Sequence, residues 1–106
     1  MGYAKERGKL EKLLVRIQDI IVFDDKNLAI LSDSQEKYSH TVRILKNKEP
    51  ETFSDLYKVE LQEIKEGRRT IKESDTDEAR HSAFLVYKNA LVHALDKTIK
   101  TTQETV

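Results

Sequence analysis

The chain predicts an all-α fold, an antiparallel up-down-up-down four-helix bundle. Three observations carry this. Apolar residues recur three, four and seven positions apart through most of the 106 residues. Polar breaks at 23–25, 46–51 and 72–76 separate four such stretches, and connections this short make neighbouring helices antiparallel. The stretch 75–100 has neither Gly nor Pro, and it carries Ala79, Ala83, Val86, Tyr87, Ala90, Leu91, Ala94 and Leu95 at helical spacing. Phe84, Leu85 and Val92 widen that stripe, so the last helix is expected to be the most buried.

The elements follow in order within a single domain, 1–106. The first helix is expected over 4–22, with Leu10, Leu13, Leu14, Ile17, Ile20 and Ile21 on one face. Gly8 weakens its first turns by about 1 kcal/mol relative to Ala. Asp24 or Asp25 caps a second helix over 25–47, in which Leu28, Ile30 and Leu31 are followed by Tyr38, Val42 and Leu45. The polar run SDSQE at 32–36 is expected to be a weakened middle of one continuous helix. A third helix over 52–72 starts after Pro50, with Thr52 as cap and Asp55 three residues on, and presents Phe53, Leu56, Tyr57, Leu61 and Ile64. Gly67 is expected to lie within it, because Ile71 continues the same stripe. Asp75 with Glu78 caps the fourth helix, 76–100, and 101–106 is a frayed tail. The expected core includes Leu14, Ile17, Leu31, Val42, Leu56, Ile64, Val86 and Leu91.

Composition narrows the classes. Hydrophobic residues are 38% and charged residues 36%, which suits thin amphipathic helices with wide solvated faces. Nineteen Lys and Arg balance nineteen Asp and Glu, so the basic excess of a generic nucleic-acid binder is missing. With no Cys, thiolate metal sites and disulfides are excluded. No apolar run is long enough to span a membrane, and the first residues carry no signal-peptide core, so a cytoplasmic protein is expected.

The chemistry-bearing residues are sparse. Glu78 and His81 form an E-x-x-H pair at a spacing that lets both face one metal, with Glu36 and His40 as a degenerate second pair. The reading preferred for His40, His81 and His93 is structural, with no metal and no cofactor. Glu60, Glu63 and Glu66 lie three apart, followed by Asp75, Asp77 and Glu78. This pattern resembles the E-x-x-E and E-x-x-D carboxylates of the all-helical nucleotide pyrophosphohydrolases of the MazG type. The resemblance implies a metal-dependent enzyme using Glu60, Glu63 and Glu78, although here the second cluster opens a helix instead of lying inside one. Three glycines, Gly2, Gly8 and Gly67, cannot form a Walker A or dinucleotide loop. Lys65, Arg68, Arg69 and Lys72 make the densest basic spot, flanked by Glu63, Glu66 and Glu73. Tyr3, near the start, is read as free to make contacts.

By elimination, the sequence points to a non-enzymatic protein acting by protein–protein interaction, as a regulator, adaptor, inhibitor or immunity-type protein. The metal-dependent enzyme and weak nucleic-acid binding stand as alternatives. Phe84 and Val92 extend the last helix's apolar face beyond what a four-helix core needs, which motivates a homodimer through that face. Lys65, Arg68, Arg69 and Lys72 are the second candidate contact site.

Overall fold

Among the residues described, α-helix is the only regular element, and there are five helices. They are α1 (Ala4–Gln18), α2 (Asp25–Lys48), α3 (Pro50–Phe53), α4 (Leu56–Glu73) and α5 (Asp77–Glu104). The structure, a computed structural model, describes residues 3–53 and 56–104, and of Leu56, Tyr57 and Glu104 only their place in a helix. The expected core position Leu56 and the expected Thr52–Asp55 cap pair therefore lie wholly or partly outside the described residues.

Helix α1 ends four residues earlier than its stripe suggests. The N–H of Ile20 bonds to the carbonyl of Ile17 at 3.1 Å, tightening the last turn. The β-branched run Ile20-Ile21-Val22 then leaves the helix, with Ile21 66% and Val22 55% exposed. Asp24 caps α2 by accepting from the Asn27 N–H at 2.6 Å, and the Asn27 side-chain amide donates back to the Val22 carbonyl at 2.9 Å. Helix α2 is continuous through 32–36, as expected; Ser34 turns inward and is fully buried, and Asp33 and Gln35 find partners in Arg16 and Tyr87.

The four-helix bundle is corrected at Pro50. Glu49 is held extended before the proline (φ −148°, ψ 77°), which stops α2. Pro50 then opens a separate single turn, α3, whose Thr52 and Phe53 N–H groups both reach the Glu49 carbonyl at 3.2 Å. This turn drives Phe53 fully into the core, edge-on to Tyr3 with ring centroids 5.4 Å apart. One turn is too short to show a period of its own, so Phe53 falls in step with the stripe of the following helix.

Helix α5 also differs at both ends. Thr76, not Asp75, caps it, its hydroxyl accepting from the Ala79 N–H at 3.1 Å. Its inner face runs on through Thr98, Ile99 and Thr102, so 101–104 is helical and the expected tail is corrected there. The threonines tolerate burial because Thr98 and Thr102 return their hydroxyl protons to the Ala94 and Ile99 carbonyls at 2.7 and 2.6 Å. Thr98 has then spent its proton, so the buried Tyr38 hydroxyl at 3.0 Å must be the donor to it. Arg7 closes over Thr102, donating to its hydroxyl at 3.1 Å and its carbonyl at 2.9 Å.

Helix α5 is the axis of the molecule, which measures 48 × 23 × 17 Å. It packs against α1, α2 and α4. Side-chain pairs set the directions. Glu6 meets Lys48 while Arg16 meets Asp33, so α1 and α2 are antiparallel. Glu60 meets Lys97 while Gly67 meets Tyr87, so α4 and α5 are antiparallel. Helices α2 and α4 do not close on one another: among the described residues no Cα of one comes within 8 Å of the other. The core gathers Leu10, Leu13, Ile17, Leu31, Tyr38, Leu45, Phe53, Ile64, Phe84, Tyr87, Leu91 and Leu95. Of the expected core, Leu14 is half-buried, and Val86 is corrected outright, being 61% exposed.

Candidate interaction surface

The basic spot of α4 becomes a surface feature because of the gap between α2 and α4. Lys65, Arg68, Arg69 and Lys72 recur at i, i+3, i+4 and i+7, so they share one side of the helix. Together with Gln35 of α2 they line an open groove of about 450 Å³. Arg69 lies 3.7 Å from Glu73, an exposed pair of little strength. Among the described residues no carboxylate comes within 4.0 Å of Lys65, Arg68 or Lys72. Beneath lies Tyr87, fully buried, whose hydroxyl donates to Gln35 Oε1 at 2.5 Å and fixes that amide at the groove edge. Burial is the main cause that pushes the Tyr87 phenol above its ordinary value, keeping it a donor.

A second groove, of about 730 Å³, runs between α1 and α2 and is lined by Lys9, Lys12, Arg16, Lys37 and His40 with Asp33 and Glu36. Here one carboxylate bridges two of the cations. Asp33 is held by Arg16 at 2.7 Å and Lys37 at 3.1 Å, and these two hydrogen bonds, Arg16 first, keep its carboxyl below the usual range.

The apolar candidates fall elsewhere. Phe84 is fully buried within the chain, its ring 5.3 Å from that of Phe23, which the 19–24 connection folds back onto it. Val92 is half-buried against the same core. The width of the α5 stripe is thus matched by three neighbouring helices of its own chain.

The carboxylate constellation does not assemble. Glu60 is only 4% exposed and is bound by Lys97. Glu63 is exposed and lines a separate shallow groove of about 480 Å³ with Gly67, Val86 and His93. Glu78 is exposed at the N-terminal end of α5, beside Phe23 and His81. Since Lys97 and Glu78 are nineteen positions apart on one helix, Glu60 and Glu78 are separated by roughly 28 Å along it. Among the described residues no three His, Asp or Glu side chains are placed to hold a metal ion. His40, His81 and His93 are all exposed.

Tyr3 is not a free contact. Its hydroxyl donates to Glu49 at 2.6 Å, next to the Glu6–Lys48 pair at 2.5 Å. These contacts span more than forty positions in sequence, and no local pattern announces them. Gln35 was likewise invisible as a groove residue, because its significance depends on α4.

Comparison of the chain with protein-family models, with curated proteins and with solved structures found no match. No helix among the described residues is long and apolar enough to cross a membrane.

Proposed function

We propose that this chain is a non-enzymatic binding protein, of the regulator, adaptor or inhibitor kind, that docks another protein on the cationic side of α4. The observation that carries this reading is the groove itself: four cations on two turns of one helix, three of them without a carboxylate partner among the described residues. Unbridged cations contribute little to a fold, since exposed ion pairs are worth only about 0–1 kcal/mol even when made. They contribute more at contact with an oppositely charged surface, where they fix its register. Self-pairing through Phe84 has against it that the ring is enclosed within its own chain. The metal-enzyme alternative has against it the distance between Glu60 and Glu78 and the capture of Glu60 by Lys97.

The absence of Cys offers a clean test. A photo-crosslinker placed by Gln35→Cys reports on the groove, and one placed by Val15→Cys, 65% exposed on α1, reports on a remote surface. Expressed in its native cells, the protein should give a discrete protein adduct from position 35 alone. Adducts of equal pattern and strength from both positions, or none from position 35, overturn the reading.

A further inference from the structure

We propose that the α2–α4 groove takes an acidic α-helical segment of the partner, with carboxylates at i, i+3, i+4 and i+7; this rests on the protein-binding reading above. The length of the cationic row points to a helix. From Lys65 to Lys72 the cations extend for about 10 Å along α4, more than one small anion can span. A second helix laid antiparallel to α4 presents side chains at the same rise per residue, so each carboxylate meets one cation. Two of the four are arginines, whose planar forks suit bidentate carboxylate contacts.

The charge balance of α4 points the same way. Over 58–73 five cations, Lys58, Lys65, Arg68, Arg69 and Lys72, stand against four carboxylates, Glu60, Glu63, Glu66 and Glu73. Beyond a Debye length of about 8 Å their fields nearly cancel. A polyanion such as a nucleic acid is gathered by a broad basic field, which α4 does not project. Discrete carboxylates in register with discrete cations need only short-range contact. The groove also has room on its outer side. Helices α2 and α4 stay apart, so the trough between them is open to a helix on the outside, in the helix-in-groove manner. Its lining is Gln35 and the four cations, with no apolar side chain among them, so the occupant is recognised by charge more than by apolar anchors.

Fluorescence anisotropy with a labelled helical peptide bearing glutamates at i, i+3, i+4 and i+7 tests this. The comparison ligands are its glutamine counterpart, a peptide of equal charge with the glutamates scattered around the helix, and a single-stranded oligonucleotide. The patterned peptide should bind saturably. Its affinity should fall about tenfold or more in Lys65→Gln/Arg68→Gln/Arg69→Gln/Lys72→Gln, and again on raising the salt. Glutamine keeps helix propensity, so circular dichroism should show the variant folded. Equal binding of the scattered peptide or tighter binding of the oligonucleotide overturns the acidic-helix assignment. So does self-association of the wild type that the variant abolishes, which would make a second copy the occupant. Failure of every peptide while the position-35 adduct persists sinks the acidic helix alone; failure of both sinks the binding reading as well.

Discussion

Gly67 on α4 lies so close to Tyr87 on α5 that a β-carbon added to it would stand 3.0 Å from the Tyr87 Cα and 3.2 Å from its Cβ. The obstacle is largely backbone of the central helix, which is held by neighbours on three sides and cannot yield cheaply. Gly67→Ala therefore gains about 1 kcal/mol of helix propensity but loses more to overpacking, for a net cost of about 1 kcal/mol. Gly8, also helical, has nothing within 4 Å of the same added atom. Gly8→Ala should stabilise by about 0.5–1 kcal/mol. Urea melts of the two variants should move in opposite directions; a Gly67→Ala protein as stabilised as Gly8→Ala would show that the two helices are farther apart.

Leu91 and Val86 test which face of α5 is inside. Leu91 is completely buried, whereas Val86 is 61% exposed. Leu91→Ala should cost about 2–5 kcal/mol. Val86→Ala should change stability by less than about 0.5 kcal/mol. Comparable losses from the two truncations would mean that the helix is rotated from its place here.

The Glu6–Lys48 pair makes part of the stability depend on pH. The hydrogen bond from Lys48 is the largest cause that lowers the Glu6 carboxyl, and it outweighs the opposing desolvation. A carboxylate with a depressed folded pKa stabilises above its ordinary value of 4.5, and that contribution disappears as pH falls through the lower folded value. Asp33 acts in the same direction. Lys48→Met should thus be less stable than wild type at neutral pH, by about 1 kcal/mol at most because Lys48 is half exposed. The gap should close on acidification below the ordinary carboxylate range. A gap that stays constant across denaturant melts in that window would dissociate Glu6 from Lys48.

What the sequence made legible was local. Leu10, Leu13 and Ile17 announce one face of α1, and Lys65, Arg68, Arg69 and Lys72 announce one side of α4, because both patterns are complete within a single helix. The face of α5 was harder. Apolar residues from Ala83 to Leu95 cover so much of its circumference that periodicity admits Val86 as readily as Phe84, and only the placement of three neighbouring helices decides between them. Helix α3 is one turn, too short for any period to register, and its sole signal was Pro50. Contacts such as Tyr3–Glu49 and Arg7–Thr102 join residues 46 and 95 positions apart and follow from the packing, not from any motif. Gln35 entered the candidate site for the same reason.

Glu60 shows how a carboxylate that looks catalytic in sequence can be structural. It is 4% exposed, its Oε1 bound by Lys97 and its Oε2 buried without a hydrogen-bond partner. Removing the cation leaves the buried carboxylate without its partner, so Lys97→Met should cost about 1 kcal/mol, well below the range for a fully buried pair, since Lys97, like Lys48, is about half exposed. Replacing both residues removes the buried charge too, and Glu60→Met/Lys97→Met should recover most of that loss, because a buried pair is often no better than apolar residues of similar size. The unpartnered Oε2 strengthens the expectation: a methionine loses no hydrogen bond there. Thermal and urea melts of the two variants supply the comparison. A double variant no more stable than Lys97→Met would mean that Glu60 contributes contacts other than its pairing with Lys97.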